Sequence, residues 1–255
     1  MRGVAGLAGL ATSLSAEASH AVETEVENLH AAGVSAVLLG DSGYPPMLAS
    51  LSACPPVLFV LGEPQRLQTP AIGICGSRHA TEEGLRAARA CGEVASEISL
   101  TIVSGNARGV DRAAQAAALA AGGVITVVLP EGIRHFRPTD ALRDVGWDTA
   151  AVVSQFAPTQ RWSVSTAMSR NGVIIGISHA LVVVEAGATG GTISAGKQAL
   201  RVGRPVFALQ FAGGTPQGNA ELIDMGAVAI RGRAELAEHL RALKPATVVT
   251  TPTLM

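Results

Sequence analysis

The sequence predicts an α/β protein with a doubly wound, mostly parallel sheet, and three observations predict it. From about residue 70, short β-branched apolar runs alternate with Ala-rich helical stretches, which is the pattern of βαβ units. The chain of 255 residues is 48% hydrophobic and only 15% charged, so it can bury a large core. Aromatic residues are 3% of the chain, which favours a Val, Ile, Leu and Ala core, as in a sheet buried on both faces.

The first part of the chain has a different pattern. Residues 14–32 read as an acidic amphipathic helix ended by Gly33, and a Pro-rich segment with short apolar runs follows. We expect one or two strands there, packed on the main sheet. The predicted organisation is a helical extension and linker at 1–66, the main domain at 67–243 and a loose tail at 244–255.

The main domain reads as alternating strands and helices. The predicted strands are 71–75, 100–104, 124–129, 150–156, 180–185 and 205–210, with a weaker strand at 227–230. The predicted helices are 81–98, 109–121, 139–145, 165–178, 191–202, 219–225 and 233–243. Right-handed crossovers then place helices on both faces, and ligands bind at the carboxyl ends of the strands.

Composition and cysteine usage limit the function classes. The formal net charge is −1, distributed as −4 over residues 1–69 and +3 over the rest, so overall charge does not indicate a nucleic-acid partner. Cys54, Cys75 and Cys91 are too widely spaced for a zinc site or a disulfide framework, which fits a reducing cytoplasm. We expect a cytoplasmic protein with no metal, no cofactor and no membrane partner.

Three Gly-rich segments follow predicted strands. They are CGSRHATEEG after the strand at 71–75, SGNARGVDRAA after the strand at 100–104, and EAGATGGTISAGK after the strand at 180–185. Glycine lets backbone amides approach a ligand closely, and the helix that follows each loop directs its positive end to the same place. Together with Arg78, Arg108 and Lys197, these loops predict a composite anion site.

The third segment partly matches an ATP-binding loop. Gly191, four further residues and then Gly196-Lys197 fit that motif, but Gln198 stands where it needs a hydroxyl to hold Mg²⁺. We therefore reject an ATPase. The helix start is predicted at Thr189 to Thr192, with Thr192 as a cap candidate, and Gly196 is expected to allow close helix–sheet packing.

An ordered set of motifs resembles the DNA-processing protein A family, also called DprA or Smf. The motifs are YPPML, CPPVLFVLG, GICGSR, IVSGNARGVDRAAQAAAL, SRNGVIIGIS, VVVEAGATGGTISAGKQAL and GNAELIDMGAVAI, over about residues 34–230. The resemblance implies an extended Rossmann-like domain that binds single-stranded DNA without a catalytic step. It also implies a homodimer that helps load a RecA-type recombinase in natural transformation.

The resemblance assigns a DNA and phosphate site, and the Gly-rich loops are its frame. Its residues are Gly76, Ser77, Arg78, Ser104, Gly105, Gly109, Arg170, Asn171, Thr189, Gly190, Gly191 and Thr192, with Lys197 nearby, and the Gly-rich loops add Arg108 to the predicted site. Backbone amides and a few cationic side chains would hold phosphates without reading sequence. Substitution of Arg78 or Lys197 by Ala is expected to weaken binding to all sequences about equally. The aromatic candidates for base stacking are Phe136, Trp147, Phe156, Trp162 and Phe211, and most of them also suit core or loop packing.

The sequence departs from the family pattern at several places. Asn106 replaces an apolar residue, Gln115 stands where His is common, and Gly172 replaces the second Arg of an RNR motif. TGGT replaces the usual SGS. The helical N-terminal domain and the winged-helix C-terminal domain of many members have no counterpart, so we expect a trimmed, divergent member.

Two further hypotheses stay open from the residues. EAGATGGT partly resembles a turn in Rossmann-like proteins that cleave nucleotides, although the PGG opening and a following catalytic Glu are absent from it. Such a nucleotide hydrolase or glycosidase is the alternative to strand binding, together with a small-nucleotide sensor whose acidic extension contacts a partner. Glu185 is the one carboxylate expected at the pocket rim, where it could orient Arg78 or Lys197 or bind a ribose hydroxyl.

Overall fold

A computed structural model describes residues 15–243, which form one nine-stranded sheet with helices on both faces. The strands are β1 (Val34–Leu38), β2 (Val57–Leu61), β3 (Ala71–Cys75), β4 (Thr101–Ser104), β5 (Ile125–Val128), β6 (Ala150–Ser154), β7 (Ala180–Val183), β8 (Val206–Leu209) and β9 (Val228–Ile230). Their spatial order is β1-β2-β6-β5-β4-β3-β7-β8-β9. This confirms the predicted α/β class. The predicted tail at 244–255 and residues 1–14 of the extension lie outside the described part.

The helices between the strands are mostly where the sequence predicts them. They are α1 (Ala16–Ala31), α2 (Pro46–Ala49), α3 (Glu82–Glu97), α4 (Val110–Ala120), α5 (Val164–Gly176), α6 (Gly191–Arg201), α7 (Gln217–Asp224) and α8 (Arg233–Arg241). Short 3₁₀ helices span Pro64–Gln68, Ile133–His135 and Asp140–Leu142. No helix within residues 15–243 is both long enough and apolar enough to cross a membrane.

The two strands of the N-terminal extension lengthen one edge of the sheet. β1 and β2 pair antiparallel, with Val34 opposite Leu61, and β2 pairs antiparallel with β6. All other strand pairs are parallel. The extension therefore belongs to the same sheet as the main domain, and the 1–66 boundary stays a prediction.

The strand order reverses between β3 and β7. From β3 the chain adds β4, β5 and β6 on one side, and it then crosses back to add β7, β8 and β9 on the other. In open α/β sheets, ligands bind beyond the carboxyl ends of the strands at such a switch point. The loops after β3, β4 and β7 all lie there.

The core has two layers because side chains alternate along each strand. In β7, Ala180 and Val182 pack in one apolar cluster, whereas Leu181 and Val183 pack in the cluster on the opposite face. All four side chains are at most 1% exposed. Both faces are covered by helices, so the strands read as continuous apolar runs.

The predicted helix at 139–145 is wrong. Only Asp140–Leu142 is helical there, as a 3₁₀ turn, and Leu142 is its one buried side chain. Asp140 and Arg143 form an exposed ion pair across the turn. Leu142 and Val145 still pack against the core, although the segment forms no longer helix.

Candidate functional site

The loops after β3 and β4 pack against each other through two glycines. A Cβ built on Gly76 would lie 2.7 Å from Cβ of Val110, and one built on Gly109 would collide with the carbonyl oxygen of Ser77. Gly109 also has a φ of 83°, which disfavours any other residue. The amide of Val110 donates to that Ser77 oxygen at 3.2 Å. These glycines fix the loops in place.

The buried side-chain amide of Gln115 holds the loop after β4 in place. Gln115 is 2% exposed, and its Nε2 donates to the carbonyl oxygen of Gly105. Gln115, which stands where His is common in the family, therefore has a structural role in this chain. Ser104, at the end of β4, is fully buried.

The floor of the site holds two opposite charges that are nearly buried. Arg170 on α5 is 7% exposed and Asp111 on α4 is 6% exposed. Nη1 of Arg170 donates to the carbonyl oxygen of Val128 at 2.7 Å, while its Nε has no partner within residues 15–243. Gly105 separates the pair, since a Cβ there would overlap Nη1 of Arg170 and lie 2.5 Å from Oδ2 of Asp111.

Burial also shifts the protonation equilibria of this pair. It raises the pKa of Asp111, and the positive charge of Arg170 opposes that rise. Burial lowers the pKa of Arg170, and Asp111 opposes that shift. A guanidinium remains charged in proteins, so Arg170 brings a desolvated positive charge to the floor. Electrostatic interactions are strongest for such a group because water screens it least.

The third loop leaves the start of α6 open. Gly190 is the N-cap with a φ of 109°, and no side chain caps the helix. Thr192 is therefore not the cap that the sequence predicts, because α6 begins one residue before it. The first amides of a helix need partners, and this end carries partial positive charge. Nδ2 of Asn171 donates to the carbonyl oxygen of Gly191 at 3.4 Å and links α5 to this turn.

These loops surround a cavity of about 480 Å³ that we call the glycine pocket. It is lined by Cys75, Gly76, Arg78, His79, Ala107, Asp111, Trp162, Val164, Ala167, Met168, Arg170, Asn171, Ile174, Thr189, Gly190, Gly191 and Thr192. Eight of the predicted site residues are among them. The lining contains one carboxylate, that of Asp111. The cavity combines backbone amides, two guanidinium groups and an apolar wall.

A second cavity of about 380 Å³, the arginine pocket, adjoins the first. It is lined by Arg78, Asn106, Ala107, Arg108, Arg112, Pro130, Glu131, His135, Arg137, Trp162 and Arg170. The two pockets share Arg78, Ala107, Trp162 and Arg170. Trp162 lies in the loop before α5 and is 48% exposed. The pockets thus form one basic groove with an exposed indole in its wall.

Several predicted residues lie outside the glycine pocket. Ser77, Ser104, Gly105 and Gly109 shape the loops without lining either cavity, and Arg108 lines only the arginine pocket. Lys197 lines neither, and its ammonium pairs with the carboxylate of Glu221 on α7 at 2.5 Å. Gly196 packs against Leu222 of α7 rather than the sheet, because a Cβ there would lie 2.5 Å from Cδ1 of that side chain.

Glu185 has a structural role at the start of α3. Its carboxylate accepts hydrogen bonds from the amide of Thr81 at 3.1 Å and from its hydroxyl at 2.8 Å. It contacts neither Arg78 nor Lys197 by a hydrogen bond or ion pair in the described part of the chain. Glu185 therefore does not orient Arg78 or Lys197, as the sequence analysis expected.

Sequence reasoning missed part of the arginine pocket. Arg112, His135 and Arg137 belong to it, yet the Gly-rich loops alone do not indicate them. One signal was available, because Arg112 lies in the first turn of the helix that follows the Arg108 loop and so stays close to that loop. His135 and Arg137 follow β5 after a separate loop, so only the folded sheet brings them to the groove.

The family model and the curated relatives agree on one family. The family model described as DNA recombination-mediator protein A matches residues 35–241. Protein Smf of Escherichia coli (strain K12) is 35% identical over 206 residues, which are 78% of this chain and 54% of Smf. DNA processing protein DprA of Streptococcus pneumoniae is 31% identical over 203 residues, which are 78% of this chain and 72% of DprA. The chain thus spans about half the length of Smf.

Solved structures share the fold. The X-ray structure of DprA from Streptococcus pneumoniae matches with a TM-score of 0.74 and 27% identity, over 86% of this chain and 78% of that chain. DNA processing protein A from Helicobacter pylori, described for its unique single-stranded DNA binding mode, matches with a TM-score of 0.70 and 22% identity. That match covers 82% of this chain and 95% of the other, and it supports the fold alone.

Proposed function

The chain belongs to the DNA recombination-mediator protein A family, and from that premise we propose that it binds single-stranded DNA through phosphate contacts. The observation that carries the proposal is the open start of α6. Its first residues line a pocket that also presents Arg78 and the buried guanidinium of Arg170. A helix start and two guanidinium groups around one cavity suit a phosphate.

The proposed binding does not read sequence. The contacts available to a strand are backbone amides, the hydroxyl of Thr192 and guanidinium groups, all of which suit phosphate oxygens. The apolar wall around Met168 and Val164 can accept any base. One protein of the same fold is described for its single-stranded DNA binding mode, and we propose the same class of ligand here.

We propose binding without a catalytic step. Glu185, the carboxylate expected at the rim, is engaged by Thr81. Asp111, the carboxylate in the lining, lies on the floor with a raised pKa because of burial. A nucleotide hydrolase on this site would need Asp111 to face the scissile bond, and the mononucleotide competition below tests that alternative.

Partners are part of the same proposal. The family's description as a recombination mediator supports a RecA-type recombinase as the partner that receives the strand, in recombination of DNA taken up by natural transformation. We propose that the protein acts in the cytoplasm as a homodimer, in line with the family resemblance. Pull-down with a RecA-type recombinase and sedimentation of the purified chain test these two parts separately.

The experiment is fluorescence anisotropy of a labelled single-stranded oligonucleotide at two salt concentrations. Unlabelled single strands, duplex DNA and mononucleotides serve as competitors. We expect salt-sensitive binding that only single strands displace. Arg78→Ala should weaken it about tenfold, because a charged hydrogen bond to phosphate is lost, and should lower the salt slope by about one.

Arg201→Ala is the matched control, since Arg201 is exposed at the far end of α6. Its affinity should equal that of the unsubstituted protein. Equal affinity in Arg78→Ala as well would remove the glycine pocket from the site. Displacement by mononucleotides, or their turnover, with no strand binding would favour the small-nucleotide alternative.

A further inference from the structure

The arginine pocket carries more positive charge than one phosphate contact needs. Five arginines and His135 line it, against the single carboxylate of Glu131. Arg78, Arg108, Arg112 and Arg137 form no ion pair within residues 15–243, whereas Arg170 lies beside the carboxylate of Asp111. Arg134, directly beside this lining, is different from those four, since it pairs with Glu25 of α1 at 2.7 Å. The four arginines are therefore left for a ligand, whereas their neighbour is neutralised within the protein.

Two of these arginines are held in place without losing their charge. Nη1 of Arg137 donates to the carbonyl oxygens of Arg134 and Phe136, at 3.2 and 2.7 Å. Nε of Arg112 donates to the carbonyl oxygen of Asn106 at 3.3 Å. Carbonyl acceptors orient a guanidinium but do not cancel its charge. Both side chains are therefore positioned in advance for an anion, which reduces the ordering cost of binding.

Trp162 stands where the two pockets meet. It lines both cavities and is 48% exposed, although burial of a large aromatic ring is normally favourable. An exposed indole between two basic cavities is the arrangement in which a base can stack while the flanking phosphates meet cations. A base pair in a duplex would not offer its face in this way.

We infer that the bound single strand continues from the glycine pocket across Trp162 into the arginine pocket. In this arrangement one phosphate contacts Arg78 and the start of α6, a base stacks on Trp162, and a following phosphate contacts Arg112 and Arg137. The inference rests on the proposed function and extends it to a second subsite of the same strand. The binding site then needs more than a dinucleotide to be filled.

The test is a length series in the same anisotropy assay. Unlabelled oligothymidylates from a dinucleotide to a dodecamer compete with the labelled strand, and the ratio of dodecamer to dinucleotide affinity is measured. Arg137→Ala should reduce this ratio about tenfold through a lost phosphate contact, whereas Trp162→Ala should weaken binding of the dodecamer itself about tenfold through lost stacking. Arg137→Ala should also lower the salt slope of the dodecamer by about one.

Two further variants make the result specific. Arg137→Lys keeps the charge and should retain most of the ratio, while Arg201→Ala should keep all of it. Thermal unfolding of each variant checks that the exposed substitutions leave the fold intact. An unchanged dodecamer affinity in Trp162→Ala or an unchanged ratio in Arg137→Ala overturns the inference, and the proposed function then stands if Arg78→Ala still weakens binding. If no oligothymidylate of any length binds, the proposed function fails and the inference fails with it.

Discussion

The starts of α3 and α6 face the same edge of the sheet but are completed in opposite ways. They follow β3 and β7, which are neighbours at the switch point. At α3, the hydroxyl of Thr81 accepts from the amide of Gly84 at 3.0 Å, and Glu185 accepts from Thr81. At α6, Gly190 provides no side chain at all. One helix start is closed by the protein, and the other is open.

This difference shows that a Gly-rich loop is not in itself a binding site. The loop after β7 contributes to both helix starts. Glu185, just after β7, binds Thr81 at the start of α3, and Gly190, five residues later, leaves the start of α6 uncapped. An anion can use the amides of α6, whereas at α3 the amides of Thr81 and Gly84 already have partners within the chain. The glycine pocket lies at the open start, above the pair of Arg170 and Asp111.

The largest expected effect comes from removing the charge beneath the open start. Arg170→Met keeps much of the side-chain volume but leaves Asp111 without its nearest cation and the carbonyl of Val128 without its donor. We expect a loss of about 3 kcal/mol in the free energy of unfolding, since breaking a buried charge pair leaves one charge uncompensated. Urea unfolding measures it, and strand affinity should fall as well.

The pH dependence of that loss identifies its cause. Burial raises the pKa of Asp111 in the folded state, so the folded protein holds this proton more tightly than the unfolded chain does. Stability contributed by the proton is present at acidic pH and is lost as the pH rises through the raised pKa. Arg170→Met should raise the pKa of Asp111 further, so that the loss of stability extends to higher pH. Adding Asp111→Asn to Arg170→Met should recover part of the stability. A loss that does not vary with pH would assign the effect to packing.

An intermediate effect is expected from closing the open start. Gly190→Ala places a side chain at a φ of 109°, a conformation that costs about 1–3 kcal/mol, so the turn should shift and strand affinity should fall. Gly203→Ala is the matched control at the other end of α6, where φ is 72° and a Cβ meets no atom within 4 Å. It should cost stability but leave affinity unchanged. Equal affinity losses in both variants would point to the helix as a whole.

The smallest effect is expected from opening the closed start. Thr81→Ala removes the cap of α3 and one partner of Glu185. We expect a loss of about 1 kcal/mol in the free energy of unfolding, with strand affinity unchanged, because Thr81 lines neither pocket. Thermal unfolding and anisotropy measure the two quantities. A fall in affinity would mean that α3 also contributes to the interface.

Local pattern predicted most of the elements. The strand at 71–75 and the helix start at 191 are found as predicted, at Ala71–Cys75 and Gly191–Arg201. Such runs are long enough and apolar enough for their period to fix the element type. The predicted helix at 139–145 is wrong, because only Asp140–Leu142 forms a 3₁₀ turn there.

Local pattern located the site but not all of its members. Arg78, Arg170 and the turn at Thr189 to Thr192 line one pocket as a group, whereas Lys197 pairs with Glu221 instead. Trp162 stood out no more than four other aromatic residues in the sequence, and its position between two basic cavities depends on a loop with no repeating pattern. Helix period places Lys197 on α6 but says nothing about which residue of α7 faces it.

The sequence by itself determined the α/β class, the alternation of strands with helices, the glycine loops and the family. These depend on residues close together in the chain, whose spacing sets the local backbone and which faces can be buried. Tertiary structure alone decided that β2 enters the sheet antiparallel between β1 and β6, that Glu185 closes α3, and that Arg137 reaches the groove beside Trp162. Each of these depends on contacts between residues far apart in sequence, and their free energy exists only once the sheet has brought the partners together.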